Sequence, residues 1–381
     1  MSGSGEISGI DPTTGQPQRI HFENGLITRI EPATDAKHYL AAGLIDLQVN
    51  GYAGHDLNSG ALDAATVRAL GQVLLQTGVT SFAPTLITAS EAGLLHGLRT
   101  IALARAGDPV LAQMIGHIHV EGPWISAEDG ARGAHPTAHI RAIDLDEFQR
   151  WQAACDGLVG MVTLSPHSPD APEKIRHLVR MGTQVAIGHT HATPAQIAAA
   201  AEAGASISTH LGNGIAATLP RHPNAIWAQL ADDRLTAGLI ADGHHLDADT
   251  FKVMLRAKGP NRAFLVSDAV ALGGLSPGRY HQPIGGDVEL SADGRLSLAG
   301  TPYLAGAARN LAEGVASAIA MADITLAEAL DLASRQAGRL MGGRGRLEIG
   351  AAADLICFDW KPGQTNLDIR NVYLRGERVV G

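Results

Sequence analysis

Aromatic residues make up only 4% of this 381-residue chain, and there are two cysteines. Cys155 and Cys357 lie far apart and in no spacing that binds metal. Neither a disulfide framework nor a cysteine metal site is expected; both read as reduced, buried thiols. No apolar run reaches bilayer-spanning length, and the first residues are polar and Gly/Ser-rich rather than signal-like. The expected location is therefore the cytoplasm, with no membrane partner. Positive charge is also in deficit, 29 Lys and Arg against 38 Asp and Glu, for a net charge of −9. That balance argues against a nucleic-acid surface, while leaving local basic side chains free to bind an acidic small molecule.

Glycine, by contrast, is abundant at 45 residues, in a chain that is 45% hydrophobic. This is the composition of a Gly- and Ala-rich α/β enzyme with many tight turns. Eight short apolar, β-branched runs stand out: Leu44 to Asn50, Thr80 to Leu86, Met114 to Gly122, Leu158 to Pro166, Gln184 to Thr190, Ser206 to Leu211, Leu235 to Asp242 and Ala263 to Ala269. Helical stretches fall between them with recognisable ends. Thr193–Pro194–Ala195–Gln196 offers an N-cap, an N1 proline and a polar N3, and Gly204 is a stop. Another helix is expected from about Asp63 to Gly78, and a third from Thr325, with Glu328 completing a capping box.

Eight βα units in order predict an α/β fold of the (β/α)8 TIM-barrel type. A doubly wound sheet is the competing arrangement, but Gly51–Tyr52–Ala53–Gly54–His55 after the first run is not its phosphate-binding fingerprint. The two chain ends look different. Arg19 to Phe22 and Gly25 to Ile30, with an Asn24–Gly25 turn, are strand-like. So are Gly345 to Gly350, Ala353 to Asp359 and Val372 to Val380. Residues 1–42 and 347–381 are therefore expected to form one small β-sandwich domain beside a catalytic barrel of residues 43–346.

In a barrel, catalytic groups project from the C-terminal ends of the strands. Those ends carry Gln48 and Asn50, His119 and Glu121, His189, His210, His244 and His245, and Asp268. One histidine so placed would ordinarily be a satisfied core residue. Five strand ends bearing imidazole or carboxylate groups and converging on one mouth point to a metal site. Glu121, His189 and His210 supply a carboxylate and two imidazoles, and three protein ligands leave a position open for water, as in catalytic zinc-type sites. Asp268 is placed to accept the water proton and return it to a leaving amine. His117 and His119 form a rival H-x-H pair on the same face as Glu121. Glu121 is nearest the strand end, so His119 reads as support for it and His117 as deeper or at a bulge.

Taken together, these segments resemble the N-acetylglucosamine-6-phosphate deacetylases of the amidohydrolase superfamily. The resemblance rests on Glu121 in HVEGPW, His189 in IGHTHAT, His210 in STHLGNG, the stretch IADGHH and Asp268 in LVSDA. GLIDLQVNGYAG, APTLITAS and the tail GRLEIGAAADLICFD extend it over nearly the whole chain. The resemblance implies a barrel with a small β-sandwich, forming a homodimer, with Glu121, His189 and His210 on the metal and Asp268 as catalytic acid and base. His135 would touch the substrate beside Ala134 and polarise the acetyl carbonyl. Asn213 and Gly214 match backbone contacts to phosphate or sugar, Arg221 a phosphate contact, and His245 a substrate contact. Leu304, Ala305 and Gly306 match a loop over the acetyl group. In relatives the arginine can come from the neighbouring subunit, so Arg221 is a candidate for the partner's site.

The chain also departs from the pattern. Gln48–Val49–Asn50 replaces the His-x-His that supports a second metal in most of the superfamily. One divalent metal per chain is therefore expected, zinc first, with Fe2+, Co2+ or Mn2+ compatible with the same ligands. His167 and His191 are the residues that would support a second ion. Gly212–Asn213–Gly214–Ile215 lacks an aromatic wall usual in the family, which leaves the exact sugar open. The expected reaction is metal-dependent release of acetate from an N-acetyl amino-sugar 6-phosphate. Other amidohydrolase chemistry is the first alternative: cyclic amide hydrolysis, deamination, or deacetylation of an unphosphorylated sugar or amino acid. A non-catalytic sugar-binding barrel is the second, and it would be expected to lack at least one of the four site residues, all of which are present.

Overall fold

All eight apolar runs become parallel strands of one sheet: β1 Leu44–Val49, β2 Val79–Ile87, β3 Ile118–Glu121, β4 Val159–Leu164, β5 Gln184–Ile187, β6 Ile207–Ser208, β7 Thr236–Ile240 and β8 Ala263–Val266. The computed structural model describes residues 2–282, 286–301 and 303–381. The strands pair in sequence order, and the ring closes where Val49 bridges Ala269 and Asn50 N–H donates to the Ala269 carbonyl at 2.9 Å. Every residue of β1 is buried, as expected when side chains fill a barrel and helices cover it. Ile45, Leu47, Ala83, Met161, Ala186, Ile207, Ile240 and Phe264 pack together as one buried cluster.

The cap signals hold. The Asp63 carboxylate accepts from Thr66 N–H at the start of Ala64–Gln76, and both Thr193 and Thr325 complete capping boxes. Boundaries differ from the pattern in two ways. The start of the third run is instead the end of a short helix, Pro109–Met114, capped by Asp108. Strands β5, β6 and β8 stop short of their apolar runs because His189, His210 and Asp268 turn into the left-handed region, with φ of 47°, 26° and 50°.

The chain ends meet as expected in a sheet-rich domain. Its seven strands run in the order Glu377–Val380, Asp368–Leu374, Leu355–Asp359, Tyr39–Ala42, Gly5–Ile10, Pro17–Glu23, Leu26–Pro32. Asn24 and Gly25, both at positive φ, make the hairpin turn between the last two. Gly345 to Gly350 is a loop rather than a strand, with both glycines at positive φ, 69° and 88°. An unforeseen three-stranded antiparallel sheet, Gly278–Gln282, Gly286–Leu290 and Leu296–Leu298, follows β8 and leads into Leu304–Gly306. It packs on its own small core of Leu272, Val288, Leu290, Leu296 and Ala308. Both cysteines are buried and free. No helix among the described residues is long and apolar enough to cross a membrane.

Candidate active site

The C-terminal ends of the strands surround a cavity of about 270 Å3. At its floor the Glu121 carboxylate oxygen Oε1 lies 3.0 Å from His210 Nε2 and 3.2 Å from His189 Nε2. The two Nε2 atoms are 3.1 Å apart. Donors bonded tetrahedrally to one ion at about 2.0–2.1 Å stand a little over 3 Å apart, so these three are spaced as a ligand set. The chemistry agrees. His189 donates Nδ1–H to the Ala131 carbonyl at 3.0 Å, which leaves the Nε2 lone pair pointing at its neighbours. Two imidazole nitrogens facing each other beside a carboxylate are mutually repulsive unless a proton or cation lies among them. Burial opposes ionisation of Glu121, but the hydrogen bonds and charges of His189 and His210 hold its carboxyl well below the ordinary range. Burial likewise works against a charged His210, and Glu121 more than offsets it, raising that imidazole.

Local backbone makes this convergence possible. A non-glycine residue at positive φ is strained, and three of the four central residues adopt it at a strand end. Gly214, at φ 59°, lets its loop close over the His189 ring, where a Cβ would stand 2.7 Å from Nδ1.

Strand β1 and the residue that follows it supply amides where histidines were absent. Gln48 Nε2 donates to Glu121 Oε1 at 2.9 Å, and Asn50 Nδ2 donates to Asp268 Oδ1 at 2.7 Å. Each carboxylate thus receives an N–H at a place where a second cation would otherwise compensate its charge. Asp268 is pushed up to about 6 by burial and by the negative charge of Glu121, against the opposing influence of His210, His245 and the Asn50 hydrogen bond. A carboxyl so poised exchanges protons near neutral pH.

His135 Nδ1 meets the Thr88 hydroxyl at 2.8 Å, and its ring centroid lies 4.3 Å from that of His189. Burial and the charge of His189 depress it to about 3, so it works as a neutral imidazole. In the tautomer in which the Thr88 hydroxyl donates to Nδ1, Nε2 carries the proton and can donate into the cavity. His245 Nδ1 bonds the buried Asp242 carboxylate at 2.7 Å, which also accepts the His244 and His245 backbone N–H groups.

Of the remaining expected residues, Ala134, Asn213, Gly214, Leu304, Ala305 and Gly306 line the cavity with His135 and His245. Arg221 does not: it sits on an exposed loop outside the lining. His119 is not among the ligands; its Nε2 bonds the Thr163 hydroxyl at 2.8 Å beneath them. His117 precedes β3 and is buried, with Nε2 lacking a partner. His167 and His191 come together outside the cavity. Asp56 and Asn58 were missed. They line the cavity from the loop after β1, whose position at the mouth is the only signal that marked them. Asn58 is occupied in holding backbone, donating to Thr85 O and accepting from Ile87 N–H, whereas burial raises Asp56.

Residues 39–379 match the model of the amidohydrolase family. An N-acetylglucosamine-6-phosphate deacetylase of Bos taurus is 34% identical over 95% of this chain and 88% of its own length. An N-acetylgalactosamine-6-phosphate deacetylase of Shewanella sp. strain ANA-3 is 32% identical over 91% and 86%. Among solved structures, a mutant N-acetyl-D-glucosamine-6-phosphate deacetylase of Mycobacterium smegmatis, in complex with N-acetyl-D-glucosamine-6-phosphate, superposes with a TM-score of 0.85 at 28% identity, covering 96% and 95% of the two chains.

Proposed function

The chain belongs to the amidohydrolase family, in its N-acetylglucosamine-6-phosphate deacetylase branch, and on that premise we propose that it hydrolyses the acetamide of an N-acetyl amino-sugar 6-phosphate. N-acetylglucosamine 6-phosphate is the first choice of substrate, and the products are the amino-sugar phosphate and acetate. The observation that carries the reading is the Glu121–His189–His210 cluster with a proton-exchanging Asp268 beside it. These three residues would hold one divalent cation, zinc first, with Fe2+, Co2+ or Mn2+ compatible with the same donors. Such an ion, when bound, supplies a Lewis acid and lowers the pKa of water to about 7.

The chain's own groups do the rest. Asp268 takes the proton of the attacking water and delivers it to the leaving amine nitrogen, with Asn50 fixing the carboxylate's orientation. His135, as a neutral Nε2–H donor, meets the acetyl oxygen as charge develops on it. His245, aligned by Asp242, contacts the sugar, Ala134 and Leu304–Gly306 enclose the acetyl group, and Asn213–Gly214 offers backbone contacts.

No Lys or Arg lines the cavity among the described residues. The phosphate is therefore assigned to backbone N–H groups and to Arg221 supplied by a second copy of the chain, which makes the working form a homodimer. Residues 1–42 and 347–381 form the small domain and 43–346 the catalytic barrel, in a cytoplasmic protein.

Acetate release across N-acetyl hexosamines, each with and without 6-phosphate, tests this. The highest kcat/KM is expected for a 6-phosphorylated N-acetyl hexosamine, and the glucosamine and galactosamine forms separate the two kinds of relative. No acetate from any member of the panel, with activity on a cyclic amide instead, would overturn the reading.

A further inference from the structure

The loops after β4 and β5 bring two imidazoles together at the rim, outside the cavity. The His167 and His191 ring centroids are 4.5 Å apart and the planes are tilted by 36°. Each ring is anchored through Nδ1, His167 on the Ser165 hydroxyl at 2.7 Å and His191 on the Ser126 hydroxyl at 2.5 Å. Those hydroxyls are themselves fixed. Ser165 Oγ bonds Thr190 Oγ1 at 2.7 Å, and Ser126 Oγ accepts the Glu128 N–H at 3.1 Å. The His167 backbone is held too, its carbonyl accepting from Gln196 Nε2 at 2.7 Å.

Among the described residues, neither Nε2 has a hydrogen-bond partner. In the tautomer that carries the proton on Nδ1, each Nε2 presents its lone pair, and a histidine held in that way is arranged as metal-binding histidines are. Packing alone does not call for two adjacent rings each tied at the same nitrogen. His191 is exposed and His167 half-buried, so an ion can arrive from solvent. The exposed Glu128 carboxylate adds negative charge near His167, and water fills the rest of the coordination sphere.

We propose that His167 and His191 form a second, solvent-accessible divalent-cation site of the imidazole-preferring class (Ni2+, Cu2+ or Zn2+), separate from the Glu121–His189–His210 cluster. It binds less tightly than the three-ligand site because two protein donors replace three. It does not depend on the deacetylase reading.

The test is equilibrium dialysis of untagged, full-length enzyme, with its resident metal in place, against Ni2+, measuring nickel and resident metal separately. The expected result is one added nickel per chain with no loss of resident metal. His167→Gln and His191→Gln should each weaken that uptake by roughly tenfold or more and leave the resident metal untouched. A Cu2+-loaded sample should show nitrogen coupling in its electron spin resonance that each variant diminishes. No added nickel, uptake matched by release of resident metal, or uptake unchanged in both variants would overturn the proposal.

Discussion

In the proposed reaction Asp268 is the residue on which the chemistry turns, because it would hold a proton between its removal from water and its delivery to the amine. Replacing it by Asn keeps shape and the Asn50 contact region but cannot carry that proton. Asp268→Asn should keep fold and metal content and lower kcat on the order of 10² to 10⁴; near-normal turnover would move the role elsewhere, with His245 first. The pH dependence follows from the same group. Burial and Glu121 raise its pKa to about 6, and the base form is the active one, so kcat/KM falls as pH drops through that value. A cation held by Glu121, His189 and His210 favours the ionised carboxyl, so the acidic limb should lie at or below about 6. A pH–rate profile checks this, and a limb well above 7 would contradict it. At this scale the sequence was informative: Glu121, His189, His210 and Asp268 were legible because polar groups at apolar strand ends are unusual. Asp56, and the ties that set each imidazole's free nitrogen, were not, since those depend on loop contacts distant in sequence.

At the scale of elements, three barrel strands end just before residues of the candidate site. The pattern placed all eight strands, but β5, β6 and β8 are shorter than their runs because His189, His210 and Asp268 leave extended geometry. At these three strand ends that geometry is held by loops which fit only with glycine at certain points. Gly214 combines a φ of 59° with a potential Cβ contact of 2.7 Å to His189 Nδ1. Gly214→Ala should displace the imidazole, weaken resident-metal binding about 10- to 100-fold and cost activity in proportion, while the melting of the distant end domain stays unchanged. Metal affinity equal to that of the parent protein would show that the loop can shift freely. The three-stranded sheet after β8 was not legible, because its short segments alternate weakly and pack on a small core of their own rather than on the barrel.

For the whole molecule, the question is where the phosphate finds its positive charge. No Lys or Arg lines the cavity among the described residues, and Arg221 stands on an exposed loop. Arg221→Ala should lower kcat/KM for the 6-phosphorylated substrate about ten- to hundredfold, as expected for a charge-assisted hydrogen bond of about 1.5–3 kcal/mol, and change the free sugar far less. If the arginine serves the neighbouring site, mixing Arg221→Ala with Asp268→Asn chains should restore activity, because one site in the mixed dimer holds both an intact Asp268 and the partner copy's arginine. Equal losses on both sugars, with no recovery on mixing, would remove the phosphate role from Arg221. The overall architecture, barrel plus a domain built from both ends, was legible from periodicity and turn signals. The proposed homodimer draws on the family resemblance alone, since nothing in a single chain's pattern marks which exposed loop would face another copy.

The central claim is that one cation held by Glu121, His189 and His210 is sufficient for deacetylation. It is tested most directly by stripping the protein of metal and following acetate release as a single divalent metal is added back. The account predicts no activity in the stripped protein and a linear rise that reaches its plateau at one equivalent per chain, whatever further ion binds at the rim. Full activity without metal, or a plateau only at two equivalents, would contradict it.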